Sequence, residues 1–465
     1  LLLDPVGSAV PVNILNLSGL DVVDFRETDT EYHVRATPKA ISRLCPSCGP
    51  ASRVVIHQQK TLFVRDLPSH GRAVAIHLDV PRLKCHDCVR TFTAVVPEVD
   101  ADRQMTERLV KWIGRQSLEY PFTEIAKQVG IDEKTVRVIF GEYVADLEKQ
   151  YQRETPAILG LDEIYLSRPR GVITNIGDRC LVDMLENRYK KTIVEFLRSL
   201  PNPERIQAAS TDMYRPYREA IQEVLPHVVH VVDKYHIIRM GNEALEAVRR
   251  RMKDTISGKL NLALKRERKL LTMRQHELSD EQWLAVSGWL NNFPQLKAAY
   301  ELKERYFRIW DCESPDEAAA EYLRWQESIP PELSKPFRAI TTAWRTWRKQ
   351  ILAYFEHPVT NAFTESFNAK IRKAYQEGNG YSFEVLRAKV LFTDVLQRKA
   401  RRVEQVKVKR RPRFEELESP RMYMCLSRMT PEEPQYDVRN VVKEVTLGAD
   451  LSTLLAEIDR WPTQG

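Results

Sequence analysis

Three acidic residues each lie within or directly after a short, apolar, strand-like run. Asp162 belongs to residues 158–166, Asp212 to residues 206–212 and Asp233 to residues 227–233. Burying a lone carboxylate is costly, so three such placements call for a reason. Carboxylates that converge from neighbouring strands can hold Mg²⁺, and two such ions about 3.5–4 Å apart can promote phosphodiester cleavage. For any single acid, the alternative is an ordinary salt-bridged or strand-terminal aspartate.

Beyond two carboxylates that converge from neighbouring strands, a third acid is expected on a helix that follows the sheet. Residues 361–372 have helical spacing, with Thr364 and Asn368 on or beside the face that carries Glu365. Lys370 and Arg372 follow, where their side chains could contact phosphate.

The elements that must position these acids alternate in type. Strand-like runs at 158–166, 171–176 and 180–185 precede a helix at 191–200, and a short helix around 217–224 separates the last two strands. This order predicts a mixed α/β sheet covered by helices. Residues 241–350 are helical in pattern and hold six of the eight tryptophans, mostly as core. The basic run at their start, with Arg249 and Arg250, is either a solvated face or a DNA contact.

Four of the seven cysteines form two Cys-x2-Cys pairs, Cys45 with Cys48 and Cys85 with Cys88. Two such pairs can present four thiolates to one structural zinc ion, whereas a redox pair and two unrelated turns are the alternative interpretations. His57 and His86 are possible ligands, but a set of four cysteines needs neither. Alternating apolar residues between the pairs indicate strands, so a zinc-ribbon β-module is predicted.

Residues 122–139 have the spacing of a helix-turn-helix. Gly130 occupies the turn, where a positive φ is needed, and Asp132 is placed to cap the second helix. The exposed face of that helix carries Lys134, Thr135 and Arg137, which could enter a major groove. The alternative is a helical hairpin that binds nothing.

Composition excludes several classes of protein. The 465 residues are 43% hydrophobic and 29% charged, which suits several packed domains rather than a disordered chain. No run approaches the roughly 18 apolar residues of a membrane span, and residues 1–4 make a poor secretory signal. The net charge of +7 favours a polyanionic partner, and we expect a cytoplasmic protein.

These motifs, in this order, resemble the ISL family of bacterial insertion-sequence transposases over about residues 40–400. The resemblance rests on the ribbon, the helix-turn-helix, and four short motifs: Leu161-Asp162-Glu163, Thr211-Asp212-Met213, Val232 to His236, and Asn361 to Lys370. It implies an RNase H-like catalytic domain whose Asp, Asp, Glu triad corresponds to Asp162, Asp212 and Glu365. Asp233 and His236 are similar to an Asp-x2-His element of related transposases. Glu163 competes with Asp162, but adjacent strand residues face opposite sides.

The resemblance and the patterns together divide the chain into six predicted segments: a zinc-ribbon β-module (1–98), a helix-turn-helix domain (99–150), the first part of the RNase H-like core (151–240), an all-helical insertion (241–350), the closing helices with Glu365 (351–402) and a basic tail (403–465). The implied function is a DNA transposase that binds terminal inverted repeats and cuts and joins DNA, with structural Zn²⁺ and catalytic Mg²⁺ or Mn²⁺. Pairing two DNA ends suggests a homodimer. A DNA-binding regulator without catalysis and a metal-dependent nuclease remain alternatives.

Overall fold

The computed structural model describes residues 16–49, 53–100, 102–252 and 257–409, with side chains up to residue 398. The expectations for the first four residues and for the chain beyond residue 409 lie outside this range. The described residues form two compact units. The first contains the residues up to Gln152 together with Ala374–Leu396, and the second contains Arg153–Lys373 and the described residues from Gln397 onward.

A seven-stranded sheet forms the first part of the first unit. Its strands are β1 (Leu20–Glu27), β2 (Glu31–Pro38), β3 (Val54–Ser69), β4 (Arg72–Cys85), β5 (Thr91–Thr93), β6 (Val99–Asp100) and β7 (Met105–Thr106). The strand order is β1-β2-β4-β3-β7-β6, and β5 pairs with β4. The long antiparallel pair β3–β4 confirms the two strands predicted between the cysteine pairs. Alternate apolar residues of β2 and β4 pack on one face of the sheet as its core.

Three helices follow in the same unit: α1 (Glu107–Glu119), α2 (Phe122–Val129) and α3 (Glu133–Gln150). Helix α2 ends at Gly130, whose φ of 76° is the left-handed conformation that glycine adopts most readily. The Asp132 side chain then accepts a hydrogen bond from the Thr135 amide, 2.9 Å away, and caps α3. Both features confirm the predicted helix-turn-helix.

Residues that come late in the sequence complete this unit. Helix α13 (Ala362–Glu377) ends at a turn, and α14 (Phe383–Lys409) follows it. The buried Lys389 of α14 donates hydrogen bonds to the carbonyls of Ser117 and Tyr120 at the C-terminal end of α1. The sequence patterns predicted that this segment belongs to the closing helices of the catalytic core, whereas its contacts group Ala374–Leu396 with the helix-turn-helix.

A five-stranded mixed sheet lies at the centre of the second unit. Its strands are β8 (Ile158–Tyr165), β9 (Pro169–Asn175), β10 (Cys180–Leu185), β11 (Ala208–Thr211) and β12 (Val229–Val232). The order is β10-β9-β8-β11-β12, with antiparallel pairing from β10 to β8 and parallel pairing from β8 to β12. All five predicted strands are confirmed. This topology is that of an RNase H-like sheet, which the resemblance to the transposase family implied.

Helices α4 (Lys190–Ser199) and α5 (Arg215–Val224) connect the parallel strands. Their apolar sides share one core with Leu159 and Leu161 of β8. Because side chains alternate along a strand, Gly160 and Asp162 face the opposite side of the sheet. That opposite side carries the acidic residues described below.

The predicted helical insertion is confirmed, with no strand in its described residues. It comprises α6 (Lys234–Arg251), α7 (Gly258–Arg266), α8 (Arg268–Thr272), α9 (Asp280–Asn292), α10 (Pro294–Arg308), α11 (Pro315–Glu327) and α12 (Ser334–Leu352). Four of its tryptophans are buried in one large core, namely Trp310, Trp325, Trp344 and Trp347. Across the described helices of both units, none combines the length and apolarity required for a membrane span.

Candidate active site and metal centres

Two asparagines attach the Glu365 helix to the strand that carries Asp162. Asn361, which directly precedes α13, donates from its side-chain amide to the carbonyl of Leu161 at 2.9 Å. Two turns later, Asn368 donates to Oδ2 of Asp162 at 2.8 Å. Both asparagines are buried. The face of α13 that carries Glu365 is therefore fixed against β8.

A buried hydroxyl contact fixes the first turn of the same helix. Thr364 and Thr174 of β9 lie with their Oγ1 atoms 2.6 Å apart, and Thr364 also donates to Asn361 Oδ1 at 3.3 Å. The two threonines meet above Gly160, where a Cβ would clash with Thr174 Oγ1. Neither Gly160 nor Thr174 was predicted as a site residue, although a lone glycine within a strand pattern indicates a close approach of this kind.

Asp212 and Asp162 each accept a hydrogen bond from a nearby tyrosine. The Tyr214 amide donates to Asp212 Oδ1 at 3.1 Å, and the Tyr217 hydroxyl donates to the Asp162 carbonyl at 3.1 Å. Tyr217 is buried in the α4–α5 core. These contacts hold the end of β11 beside the middle of β8, where the two strands are parallel neighbours.

Asp233, His236 and Glu365 form a cluster whose ligand atoms lie within 4.8 Å of one another. His236 Nε2 is 3.7 Å from a Glu365 oxygen and 3.9 Å from Asp233 Oδ2. Asp233 also caps α6 by accepting from the Tyr235 amide at 3.4 Å. The cluster joins the end of β12 to the Glu365 helix.

The acids of this site disfavour one another's ionisation. Burial is the largest cause and the negative charge of Asp233 is the second. Together they raise the pKa of Asp162 to about 7 and that of Glu365 to about 8. Burial and the charge of Asp162 raise the pKa of Asp212 to about 6. Burial raises the pKa of Asp233 to about 6. The four carboxylates therefore lie in one field of like charge, and a nearby cation would favour their joint ionisation at neutral pH.

The donor set fits a divalent cation. Within the described residues, Asp233 Oδ2, His236 Nε2 and Asn368 Oδ1 are buried without a hydrogen-bond partner. Such atoms are costly unless a ligand or ion satisfies them. Burial also lowers the pKa of His236 to about 4, which keeps the imidazole neutral and able to coordinate at neutral pH. Oxygen donors with one neutral imidazole suit Mg²⁺ or Mn²⁺.

This arrangement predicts that stability falls as pH rises when no divalent ion occupies the site. A carboxyl whose pKa is raised by folding stabilises the protein below its ordinary pKa near 4, and that stability is lost as pH rises through the folded value. The window here runs from about pH 4 to about pH 8. Protein that retains zinc is expected to melt at a lower temperature at pH 8 than at pH 5, and Mn²⁺ is expected to raise the melting temperature more at pH 8.

Thermal melts of two variants provide the control for this pH effect. Glu365→Gln removes one charge from the field and is expected to flatten the pH dependence. Glu195→Gln, a change at an exposed position on α4, is expected to leave it as in the wild type. Equal pH dependence in the wild type and Glu365→Gln would contradict the explanation.

The four cysteines of the two pairs converge in the first unit. Their sulfur atoms all lie within 4.8 Å of one another, and Cys45 Sγ is 3.6 Å from Cys88 Sγ. Tetrahedral zinc with Zn–S bonds of about 2.3 Å places its sulfurs about 3.8 Å apart, so the cluster fits a zinc site with four cysteine ligands. In each pair a backbone bond closes the turn, from Gly49 to Cys45 and from Cys85 to Arg90.

Loss of this zinc is expected to unfold the module locally, because zinc binding to such a site is worth on the order of 10 kcal/mol. We expect Cys85→Ser to lose bound zinc and to weaken DNA binding at least about tenfold, as measured by atomic absorption and by titration with labelled DNA. Cys312→Ser, in the helical insertion, is the matched control and is expected to retain both. One zinc per chain in Cys85→Ser would contradict the assignment.

The residues predicted to contact DNA differ in their accessibility. On α3, Lys134 and Arg137 are exposed, and Arg137 pairs with Glu133 one turn away. The Thr135 hydroxyl donates to Asp132, so that side chain supports the cap. Lys370 and Arg372 are exposed on α13.

The two arginines predicted as DNA contacts at the start of the helical insertion lie on different faces of α6. Arg250 is largely exposed, whereas Arg249 is only 6% exposed and pairs with Glu246. This placement argues against the predicted DNA contact of Arg249. The neighbouring Arg250 and Arg251 are exposed, since successive side chains of a helix point to different faces.

Comparison with known proteins identifies the same three modules. Residues 42–88 match the zinc-finger of transposase IS204/IS1001/IS1096/IS1165, and residues 94–144 match the helix-turn-helix domain of transposase family ISL3. Residues 159–390, which hold the five-stranded sheet, the insertion and α13, match a family described as transposase.

Two proteins of similar sequence are also described as transposases. The transposase for insertion sequence element IS1001 of Bordetella parapertussis is 23% identical, over 74% of this chain and 86% of that protein. The transposase for insertion sequence element IS1557 of Mycobacterium tuberculosis is 22% identical, over 76% of this chain and 87% of that protein. The fold and these matches define a transposase with a zinc ribbon, a helix-turn-helix and a DDE domain. The chain belongs to the ISL3 family of transposases.

Proposed function

We propose that this transposase cuts DNA at the ends of an insertion sequence and joins the freed ends to a target. The observation that carries the proposal is the convergence of Asp162 and Glu365, fixed by the hydrogen bond from Asn368 to Asp162. Asp212 lies in the same field of charge, because the charge of Asp162 contributes to its raised pKa. These three residues are the proposed catalytic acids.

Mg²⁺ or Mn²⁺ held by these acids would neutralise charge on the phosphodiester and activate the attacking oxygen. The protein's own contribution is to fix the acids before DNA arrives. Asn361 and Asn368 hold α13 on β8, and the Tyr214 amide orients the Asp212 carboxylate. Such preorganisation lowers the cost of reaching the reactive geometry.

Asp233 and His236 are proposed to support the Glu365 side of the site. His236 lies within 4 Å of both the Asp233 and the Glu365 carboxylates. The neutral imidazole can coordinate an ion directly or orient a scissile phosphate.

DNA recognition is assigned to the first unit. We propose that Lys134, Thr135 and Arg137 of α3 read the terminal inverted repeats, assisted by the zinc-ribbon module. Lys370, Arg372 and Arg250 are proposed to contact phosphates. Transposition pairs two DNA ends, which favours a homodimer. We also propose that the protein acts in the bacterial cytoplasm and is associated with the nucleoid when it is bound to DNA.

A cleavage and joining assay tests the proposal. The substrate is a labelled duplex containing the DNA end that flanks the native gene, incubated with the full chain and Mg²⁺ or Mn²⁺. We expect metal-dependent nicking and joined products. Nicking without joining would indicate a nuclease, and binding without either would indicate a DNA-binding regulator; each outcome would overturn the proposed function.

A further inference from the structure

Glu163 follows the proposed catalytic Asp162 directly in the sequence but has a separate partner. Its carboxylate forms an ion pair with Arg188, which lies between β10 and α4. Each of the two side chains remains 31% exposed, so the pair lies at the surface. Because Glu163 alternates with Asp162 on β8, its side chain lies on the α4–α5 side of the sheet, and the ion pair with Arg188 forms there.

A second contact fixes the Arg188 side chain. Its guanidinium carbon is 4.4 Å from the centre of the Tyr214 ring. The backbone amide of this tyrosine donates to Asp212, so one residue touches both the acid and the arginine. Stacking on an aromatic face leaves the edges of a planar guanidinium able to donate. The ion pair with Glu163 uses Nη1 of Arg188. The guanidinium carries five N–H groups on three nitrogens, so it can donate to a second group as well.

The charge of Arg188 reaches the proposed site. It opposes the effect of burial on the Asp212 carboxyl and lowers the pKa of that group, and it acts in the same direction on Tyr217. Two other arginines, Arg239 and Arg372, exert the corresponding effect on Asp162 and Glu365. Positive charge therefore acts on each of these three acids, and Arg188 is the arginine that acts on Asp212.

We propose that Arg188 binds a phosphate of the DNA strand that enters the site beside Asp212, and that Glu163 and Tyr214 hold its guanidinium ready for this contact. The inference rests on the proposed function, since it assigns the DNA strand to the same acids. Four carboxylates repel a polyanion, so a cation fixed in advance at the Asp212 end offsets that repulsion. Arginine suits the task because its fork matches phosphate oxygens.

An ordinary ion pair that serves only stability is the competing explanation, and substitutions at both partners distinguish the two. Binding is measured in Ca²⁺, so that the assay does not rely on cleavage. Arg188→Met is expected to weaken binding of the labelled DNA end about 10- to 100-fold, because one charged hydrogen bond is lost. The slope of log affinity against log salt should shrink by about one. Arg188→Lys is expected to retain the slope with weaker binding.

Glu163→Gln keeps an acceptor for Arg188 but removes a negative charge near the phosphate, so its affinity should equal or exceed that of the wild type. Arg198→Met, at an exposed arginine of α4 that pairs with Glu223, is the matched control and is expected to bind like the wild type. Circular dichroism melts establish that each variant is folded.

Single methylphosphonate substitutions along the DNA identify the phosphate. At one linkage the neutral substitution should weaken the wild type while causing no further loss in Arg188→Met. If Arg188→Met and Glu163→Gln weaken binding equally, or no linkage behaves in this way, the pair is structural and the inference fails. A wild type that binds but never cuts in Mg²⁺ or Mn²⁺ would overturn the proposed function, while these binding measurements would still decide the role of Arg188.

Discussion

Asp212→Asn is expected to reduce DNA cleavage and joining at least about 1,000-fold, because losing one proposed metal ligand removes several kcal/mol of transition-state stabilisation. Asparagine has nearly the same volume and can still accept the hydrogen bond from the Tyr214 amide. It also removes one charge from a crowded cluster, so folding should be unaffected or slightly improved. The measurement is single-turnover cleavage of the labelled DNA end in Mn²⁺, together with its binding affinity.

Asp178→Asn is the matched control, since this aspartate lies in the turn between β9 and β10, where it accepts from Asn175. It should cleave at the wild-type rate. The expected pattern is loss of cleavage in Asp212→Asn with unchanged DNA binding. Substantial cleavage by Asp212→Asn would exclude this residue from the catalytic acids, and weakened binding would assign it to DNA contact instead.

The strands that carry the acids could be predicted because buried strands are short apolar runs. Cys180–Leu185 was predicted with the bounds that the structure shows, and the other four strands of that sheet differ by a few residues at their ends. Strands β1 and β2 were missed, since β1 is mostly exposed and rich in charged residues. A β-bulge between Val22 and Asp24 breaks the alternation in β1. The apolar residues of β2 do alternate, at Tyr32, Val34 and Ala36, so that strand carried a readable signal.

The contacts that align the site could not be predicted, because they join residues far apart in the chain. Asn368 and Asp162 are separated by 206 positions, and Thr174 and Thr364 by 190. Helical spacing placed Thr364 and Asn368 near the face of Glu365, but spacing within one helix does not indicate which strand that face meets. The roles of the individual site residues stay predictions until the variants are measured.

Charge runs were equally ambiguous. The basic run at the end of α6 contains the buried Arg249 and the exposed Arg250, and sequence gives both the same weight. Similarly, Glu163 was considered only as a competitor of Asp162, since nothing in the sequence links it to Arg188, 25 positions away. Pairing of this kind depends on the three-dimensional neighbourhood of a charge, which a single sequence does not contain.

Gly160→Ala is expected to reduce cleavage about 100-fold, since a displacement near 1 Å in a reactive site can have an effect of that size. The new Cβ would clash with Thr174 Oγ1 and would lie 2.8 Å from Thr364 Oγ1 and 2.9 Å from Asn361 Oδ1. All three neighbours are buried, so α13 must move away from β8 and carry Glu365 with it. Crowding of this kind typically costs about 1–3 kcal/mol of stability, which urea unfolding would measure.

Gly177→Ala is the control, because its Cβ would meet only Asn175 Oδ1 at 3.5 Å, an ordinary contact. It should match the wild type in both assays. Adding Thr174→Ala to Gly160→Ala removes the closest oxygen and should recover part of the lost cleavage, although the hydroxyl contact with Thr364 is also lost. If the double variant is no better than the single one, crowding at Thr174 is not what displaces Glu365. Recovery would show that the position of the Glu365 helix depends on the small size of residue 160, through contacts that do not touch the acids themselves.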